Sequence, residues 1–346
     1  MKSNLYIPKK YKPLLDLRET EKAIGQIKTF FQTNLSFELE LMRVTAPLFV
    51  RAGTGINDDL NGIEQPVSFN IHGAGNVGVE MVQSLAKWKR MMLADYGVKQ
   101  GHGLCADMNA IRPDDMLDNT HSIYVDQWDW ERVIRPEDRT LDYLKDVVRD
   151  IYRGIKQTEE EVARRFPSLR PFLPDEIRFV HTEELARRYG DLTSWQREEA
   201  VCRELGAVFL IGIGGDLGDG RIHDGRAPDY DDWTTPTGPG TRGLNGDLFV
   251  WYPLLGIPLE LSSMGIRVDP ETMLRQLAVR NCPERAELPW HKLLLDGHLP
   301  ATIGGGIGQS RLCMLLMQRA HIGEVQVGLW PADTVNACRQ AGIQLL

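Results

Sequence analysis

Hydrophobic residues recur every three to four positions in some stretches of this chain and at every second position in others. The first spacing places them along one side of a helix, and the second places them on one face of a strand. We therefore predict helices over residues 17–34, 84–96, 137–166, 194–205 and 310–318. We predict strands over residues 37–45, 77–82, 103–112, 121–133, 207–213, 247–252 and 258–268. No internal repeat or low-complexity linker divides this series of helices and strands.

Two polar stretches separate predicted elements and are too hydrophilic to add to a core. Residues 53–62 read GTGINDDLNG, and residues 214–246 are rich in glycine, proline and aspartate and include RAPDYDDW. Loops of this kind often carry function, and a loop as long as the second is uncommon inside a compact domain. An exposed acidic turn is the structural alternative for the second stretch.

Residues 301–319 read ATIGGGIGQSRLCMLLMQR, a short apolar strand followed by a helical pattern. Gly304, Gly306 and Gly308 share one face of the strand, which would leave bare backbone against which a nucleotide base could lie. Arg311 falls in the first helical turn, where the helix dipole disfavours a cation. An arginine there often binds a phosphate or a carboxylate. The alternative is a glycine-rich turn before a core helix.

Composition narrows the classes of function. The chain has 346 residues, of which 42% are hydrophobic and 25% are charged, with a net charge of −8. This balance provides no broad basic surface for long nucleic acids, and no apolar run is long enough to span a membrane. Five cysteines are far apart and form no CxxC pair. We expect reduced thiols in a cytoplasmic protein.

A GxGxxG pattern at Gly73, Gly75 and Gly78 imitates a dinucleotide-binding loop. That loop requires a helix directly after the glycines, but residues 77–82 read as a second strand. Gly-Ala-Gly-Asn between two β-prone runs is typical of a hairpin turn. We therefore predict a hairpin, with dinucleotide binding as the alternative.

Four charged residues on separate predicted strands or helices suggest a nucleotide site. Arg112 ends one strand, Asp247 and Glu260 lie on two others, and Arg311 follows the glycine strand. Two arginines and two carboxylates suit a triphosphate with Mg²⁺, the arginines facing phosphate oxygens and the carboxylates holding the metal. No GxxxxGK[ST] motif occurs, so any ATP would be bound without a P-loop. Each residue alone could equally be a solvated surface charge.

Together these segments resemble the class II aminoacyl-tRNA synthetases, of which the aspartyl and asparaginyl enzymes are the most similar. The resemblance is stronger to the ammonia-dependent asparagine synthetases (aspartate–ammonia ligases, A type), which use the same catalytic fold without a tRNA-binding domain. It covers essentially the whole chain. It rests on QSLAKWKR (83–90), HSIYVDQWDWERV (121–133), RAPDYDDW (226–233), GLNGD (243–247), ELSSMGIRVD (260–269) and TIGGGIGQSR (302–311). Gln83 stands where the family motif has histidine.

The resemblance implies a two-step synthesis of L-asparagine. The β-carboxylate of L-aspartate attacks the α-phosphate of ATP to give β-aspartyl-AMP and pyrophosphate, and ammonia then displaces AMP. By resemblance, Arg112 meets the charge that develops on the α-phosphate, and Arg311 packs on the adenine and reaches the γ-phosphate. Gly304, Gly306 and Gly308 form the floor under the base, and Asp247 and Glu260 coordinate Mg²⁺.

Aspartate requires partners for one ammonium and two carboxylates. We assign Asp58 and Asp129 to the α-ammonium, Lys89 and Arg267 to carboxylates, and Ser84, Gln127 and Ser263 to hydrogen bonds. Because the side-chain carboxylate is the one activated here, Arg267 is expected to hold the α-carboxylate. Asp231 is expected to receive the incoming ammonium and to accept its proton.

The implied fold is a single class II synthetase-like α/β domain over residues 1–346. It has a mostly antiparallel sheet of six or seven strands flanked by helices, and it is expected to form a homodimer. Neither nucleic acid nor membrane is an expected partner. A tRNA-charging enzyme is one alternative, against which the acidic charge and the lack of room for an anticodon-binding domain argue. A catalytically inactive regulatory relative is the other, against which the joint presence of the four charged residues argues.

Overall fold

A computed structural model describes residues 5–58, 65–218 and 220–346, so residues 59–62 of the predicted polar loop lie outside the described part. Within it the helices are α1 (Leu17–Glu38), α2 (Ala86–Asp95), α3 (Leu141–Arg165), α4 (Thr182–Arg188), α5 (Ser194–Leu205), α6 (Pro270–Val279), α7 (Pro289–Leu295), α8 (Gln309–Leu316) and α9 (Ala332–Gln340). No helix among these residues is both long enough and apolar enough to span a bilayer.

The strands fall into one large sheet and two small ones. They are β1 (Leu41–Arg43), β2 (Phe49–Arg51), β3 (Ser68–Ile71), β4 (Val77–Met81), β5 (Gly103–Ile111), β6 (Tyr124–Val133), β7 (Arg178–His181), β8 (Ala207–Ile211), β9 (Pro236–Gly238), β10 (Thr241–Arg242), β11 (Asn245–Tyr252), β12 (Ile257–Ile266) and β13 (Thr302–Gly308). The large sheet has the order β1-β5-β6-β13-β12-β11-β8-β7. β9 pairs with β10, and β2, β4 and β3 form a three-stranded sheet.

The mostly antiparallel α/β sheet predicted from the sequence is confirmed, with a difference at its edges. The sheet has eight strands among the described residues, and the two outer pairs, β1–β5 and β7–β8, are parallel. Both edge strands are short. A strand of three or four residues leaves too little alternation to be recognised in a sequence.

The predicted strand over residues 37–45 is wrong at its start. The first helix continues to Glu38, and only Leu41–Arg43 forms a strand. A capping box between Asp16 and Glu19 begins this helix, and its buried face recurs at helical spacing as far as Leu35. Phe37, the predicted first residue of the strand, lies instead in the last helical turn with 80% of its surface exposed.

The predicted hairpin around Gly73–Gly78 is confirmed. β3 pairs antiparallel with β4, and the turn between them uses Gly75 and Asn76 at φ 75° and 60°. The chain therefore runs strand, turn, strand at this point. This differs from the strand, loop and helix that a dinucleotide-binding fingerprint requires.

The two faces of the large sheet differ in chemistry. Alternation along β6 predicts that Trp128 and Trp130 share one face and that Gln127, Asp129 and Glu131 share the other, and this is confirmed. Trp128 packs on Phe31 of α1, with ring centroids 4.7 Å apart, in a core shared with α3 and α8. Asp129, the next residue along β6, accepts a hydrogen bond from Lys89 of α2 instead. One face of the sheet thus carries the main hydrophobic core, and the opposite face carries polar side chains.

Candidate active site

A cavity of about 330 Å³ lies on the polar face of the sheet. Its walls come from the central strands, the start of α8 and the loop between β8 and β11. Most of the residues predicted from the sequence meet there: Asp58, Ser84, Arg112, Gln127, Asp129, Asp231, Asp247, Glu260, Ser263, Arg267, Gly306, Gly308 and Arg311. Segments up to about 250 positions apart in sequence therefore contribute to one site.

Lys89 does not line this cavity. Its side chain is completely buried, and its Nζ donates to Asp129 Oδ1 at 2.5 Å and to the carbonyl oxygens of Trp130 and Gly305 at 3.0 Å each. An ammonium group has three donors, so these contacts use all of them. In this structure Lys89 orients Asp129 and does not offer a hydrogen to the cavity.

The glycines of β13 do not leave the bare floor that their spacing predicted. A Cβ at Gly304 would lie 1.9 Å from the Oε2 atom of Glu131, and one at Gly306 would lie 2.3 Å from the Oε1 atom of Gln127. Gly308 lies beneath Arg311, and a Cβ at Gly308 would be 3.3 Å from the Cβ atom of Arg311. The glycines are needed because polar side chains from neighbouring elements lie directly against the strand.

A buried network of charges forms one end of the site. Arg267 donates two hydrogen bonds to Glu131, from Nε to Oε1 at 2.9 Å and from Nη2 to Oε2 at 2.8 Å. Its Nη1 atom donates to Asp231. Burial would raise the pKa of Glu131, but Arg267 and Lys89 outweigh this effect and lower it. Arg267 is therefore already neutralised by two carboxylates of the chain.

Two carboxylate oxygens in this end of the site accept no hydrogen bond. They are Oδ2 of Asp129 and Oδ2 of Asp231, both completely buried. The Nε atom of Arg226 is 3.6 Å from the second of them. A buried anionic oxygen that accepts no hydrogen bond is costly, so these atoms suit a cationic ligand.

At the other end of the site, three arginines contact neighbouring residues. Arg311 donates from Nη1 to the backbone oxygen of Glu260 at 3.1 Å and to its carboxylate at 3.2 Å. Arg112 donates to the backbone oxygen of Gln83 at 3.0 Å. Arg226 binds Asp247 at 2.5 Å. All three arginines line the cavity, and such a lining suits a polyanion.

The predicted metal residues fit Mg²⁺ in part. Asp247, Glu260 and also Asp224 line the cavity. Burial raises the pKa of Asp247 to about 7, and the negative charges of Glu260 and Asp224 add to the effect while Arg226 opposes it. No group of three or more metal-binding side chains is already assembled in residues 5–58, 65–218 and 220–346. One or two carboxylates completed by phosphate oxygens is the usual environment of Mg²⁺ in nucleotide sites.

Arg226 and Glu131 were missed by the residue-level interpretation of the sequence. Both lie in segments that the sequence analysis identified. In those segments, however, functional roles were assigned only to Asp231 of RAPDYDDW and to Gln127 and Asp129 of the predicted strand. A single arginine at the head of an acidic segment was the available signal for Arg226. Glu131 shares its predicted strand face with Gln127 and Asp129, which was the signal for its place in the site.

The fold has counterparts in known structures. Asparaginyl-tRNA synthetase of Pyrococcus horikoshii, solved with asparaginyl-adenylate, superposes with a TM-score of 0.67 at 15% identity. The match covers 90% of this chain and 70% of that one. Aspartyl-tRNA synthetase of Entamoeba histolytica gives a TM-score of 0.63 at 14% identity, over 91% and 58% of the two chains. At such identities the likeness establishes the fold, which is that of the class II synthetase catalytic domain.

Sequence comparison is more specific. The family model described as aspartate-ammonia ligase matches residues 18–342. An aspartate–ammonia ligase of Clostridium perfringens is 55% identical over 342 residues, covering 99% of both chains. One of Bacteroides thetaiotaomicron is 56% identical over 344 residues, covering 99% of this chain and all of the relative. Since both the family model and these relatives extend over nearly the whole chain, this protein belongs to the aspartate–ammonia ligase family.

Proposed function

We propose that this protein synthesises L-asparagine from L-aspartate, ammonia and ATP through β-aspartyl-AMP, with release of AMP and pyrophosphate. A carboxylate does not react with an amine because its oxygen is a poor leaving group, whereas AMP is a good one. The observation that carries the proposal is the polarity of the cavity. Arginines surround one end, and carboxylate oxygens without hydrogen bonds lie at the other.

The arginine end is the proposed ATP site. Arg112 would face the α-phosphate, where negative charge develops as the β-carboxylate attacks. Arg311 would leave its contact with Glu260 to pack on the adenine and reach the γ-phosphate. Asp247 and Glu260 would hold Mg²⁺, which supplies charge neutralisation to the phosphates when it is bound. Gly308, beneath Arg311, is the glycine best placed to lie near the base.

The carboxylate end is the proposed aspartate site. Asp58 and Asp129 would bind the α-ammonium, with Lys89 fixing the orientation of Asp129 from behind. Ser84, Gln127 and Ser263 line the same cavity and would donate hydrogen bonds. Arg267 would hold the α-carboxylate, because the side-chain carboxylate is the one activated. Because it already binds Glu131 and Asp231, it would share its hydrogens or exchange Asp231 for the substrate.

Asp231 is the proposed receiver of ammonium. Arg267 holds its Oδ1 atom, which leaves Oδ2 as an acceptor of fixed position. Ammonium is the dominant form of ammonia at pH 7, so the site must both attract a cation and remove a proton from it. A carboxylate adjacent to the reacting carbonyl can do both.

The proposed assembly is a homodimer, and its supporting observation is a set of exposed apolar side chains. Phe37 at the end of α1, Met42 on β1 and the contacting pair Phe49 and Phe69 are between 39% and 80% exposed. Clusters of exposed large apolar residues mark interaction surfaces. Sedimentation equilibrium of the wild type and of Phe37→Glu would test this. A cytoplasmic location stays a prediction from the unpaired cysteines.

One assay tests the function. Purified protein is incubated with ATP and Mg²⁺, with and without L-aspartate, ammonium and tRNA, while pyrophosphate and asparagine are measured. We expect asparagine only when aspartate and ammonium are both present, with one pyrophosphate formed for each asparagine and no effect of tRNA. Aspartylation of tRNA would instead support a charging enzyme, and nucleotide binding without turnover would support a regulatory relative.

A further inference from the structure

A second cluster of charged side chains is buried directly behind the cavity. Asp229 Oδ2 accepts from Lys87 Nζ at 3.0 Å and lies 2.9 Å from His291 Nε2. The three side chains are at most 3% exposed. None of them lines the cavity. The cluster therefore cannot act on a substrate directly, and any role in the reaction must pass through other residues.

The cluster connects three of the segments that carry predicted aspartate and ammonium ligands. Lys87 lies on α2 between Ser84 and Lys89, and Asp229 lies two residues before Asp231. His291, on α7, contacts the segment that leads to Asp58. There the backbone nitrogen of Trp290 donates to Thr54 at 3.1 Å, and a Cβ on Gly55 would lie 2.9 Å from His291 Nδ1.

Further hydrogen bonds fix the position of each segment relative to the cluster. The indole of Trp290 donates to the backbone oxygen of Lys87 at 2.8 Å. Gln276 of α6, also buried, donates to the backbone oxygens of Pro228 and Asp231, each at 2.9 Å. Asp229 is thus held between two anchored residues, and its carboxylate ties the loop to both α2 and α7.

The composition of the cluster favours a positioning role over a purely stabilising one. Burying charges costs free energy, and a well-packed apolar group is often equally stabilising at such a place. Asp229 Oδ1 and His291 Nδ1 accept no hydrogen bond, so the cluster is not arranged to maximise contacts. Directional hydrogen bonds do fix distance and angle, which matters where a displacement of about 1 Å can cost about 10²-fold in rate.

We propose that Lys87, Asp229 and His291 are positioning residues for aspartate and ammonium: they fix the Asp58, Ser84 and Asp231 segments relative to one another. This inference rests on the proposed function. It predicts a division within the site, because Arg311, proposed to bind the adenine and the γ-phosphate, is held by Glu260 of β12 and not by these segments. Arg112, which contacts Gln83, and Arg226, which contacts Asp247, adjoin or belong to the fixed segments, so only a small effect on ATP binding is expected.

The test is the double variant Lys87→Met/Asp229→Asn, which removes both charges together. Arg285, which lies 3.8 Å from Asp229, is 24% exposed and stays in contact with solvent. We expect kcat/KM for aspartate to fall by about 10–100-fold, mainly through KM. The Kd for Mg·ATP should stay within about twofold of the wild type. The conservative variant Lys87→Arg keeps a cation beside Asp229 and should recover part of the loss.

The matched control is Lys156→Met/Glu159→Gln, which removes a pair of charges at 3.0 Å on α3, away from the cavity. It should alter the melting temperature without altering the KM for aspartate. Gly55→Ala is an independent variant that keeps all three charged side chains. Its Cβ would press on His291, and its φ of +76° is strained for alanine, so the KM for aspartate should rise there as well.

The outcomes separate the two proposals. A wild-type protein that makes no asparagine would refute the proposed function. Wild-type activity combined with an unchanged KM for aspartate in the folded double variant would refute this inference alone. An equal rise in the KM for aspartate and in the Kd for Mg·ATP would also refute it, since it would indicate a general loss of structure. If the double variant does not fold, an unchanged KM for aspartate in Gly55→Ala refutes the inference.

Discussion

The two ends of the cavity are built differently. At the carboxylate end, Glu131 and Lys89 are completely buried, and Arg267 contacts two carboxylates at once. At the arginine end, the Arg311 and Glu260 side chains are 23% and 38% exposed and form a single ion pair. Buried pairs depend on fixed geometry, whereas exposed pairs are weak and can be exchanged. The comparison suggests that the proposed aspartate site is rigid, whereas in the proposed nucleotide site Arg311 would change partners when ATP binds.

Asp231→Asn removes the carboxylate that is proposed to receive ammonium, and we expect it to have the largest effect on activity. The amide keeps its shape but has no charge and cannot accept a proton at neutral pH. We expect the capture of ammonia to slow by about 10²–10⁴-fold, while ATP and aspartate still form the adenylate. Rapid quench would follow pyrophosphate and asparagine in the same reaction.

Alkaline buffer should recover part of that defect, because neutral ammonia becomes more abundant as pH rises. If pyrophosphate formation falls as far as asparagine formation does, Asp231 acts in aspartate binding or activation, and ammonia is received elsewhere.

Glu131→Gln compared with Glu260→Gln tests the difference in rigidity. Removing one partner from a buried ion pair costs about 3–5 kcal/mol of unfolding free energy, whereas an exposed pair contributes about 0–1 kcal/mol. We therefore expect a large loss of stability from the first variant and almost none from the second. Urea denaturation of both proteins measures the difference, and similar losses would contradict the contrast between the two ends.

Arg311→Ala removes an arginine of the proposed nucleotide end. We expect pyrophosphate formation to fall by about 10²–10³-fold, because the cation proposed to bind the γ-phosphate of the leaving pyrophosphate is lost. The melting temperature should be close to that of the wild type, since only one partly exposed ion pair disappears. Arg164→Ala on α3 is the control for loss of a surface arginine. Wild-type turnover in Arg311→Ala would remove this residue from the site.

A pH titration tests the electrostatics of the nucleotide end. Because the pKa of Asp247 is raised from 3.8 to about 7, the folded protein holds this proton more tightly than the unfolded chain does. The group's contribution to stability therefore falls as pH rises from about 4 to 7. Its Mg²⁺ affinity should change in the opposite direction, falling by up to about tenfold for each pH unit below 7, because metal ligands must be deprotonated. Calorimetry of Mg·ATP binding measures this, with Asp247→Asn expected to lack the dependence.

Ala74→Asp should have the smallest effect, since it lies in neither end of the cavity. Asp-Gly suits a tight hairpin turn. The turn is also open to solvent on either side of residue 74, because a Cβ added at Gly73 or Gly75 would meet no atom within 4 Å. We expect unchanged ATP affinity and unchanged stability within about 0.5 kcal/mol. Reduced nucleotide affinity in a stable protein would revive dinucleotide binding at this turn.

The sequence predicted which segments meet more reliably than it predicted what each side chain does there. Alternation on β6 and β13 was sufficient to place Gln127, Asp129 and the glycines on one face of the sheet. It was not sufficient to show that Lys89 is fully satisfied by Asp129 and two carbonyl groups, because this depends on the approach of α2 to the sheet. Arg226 was missed for a similar reason. It contacts Asp231 of its own segment and Asp247 of a later one, and the sequence does not show that the three side chains meet.

The pattern of hydrophobic and polar residues also did not predict where short helices and strands begin and end. Phe37 fits a strand by alternation and a helix by periodicity, and packing of α1 on the core decides between them. The three or four residues of β1 and β7 pair at the edges of the sheet through backbone hydrogen bonds, which side-chain patterns do not record.

The register of β13 limits how this protein can change over evolution. Gly304 lies opposite Glu131 and Gly306 opposite Asp129, while on the other side Gly306 lies opposite Ser263. A one-residue insertion or deletion would turn Ile303 and Ile307 toward the cavity and the small residues toward the core. Substitutions at the rim of the site can therefore accumulate one at a time, but changes of length in this strand cannot.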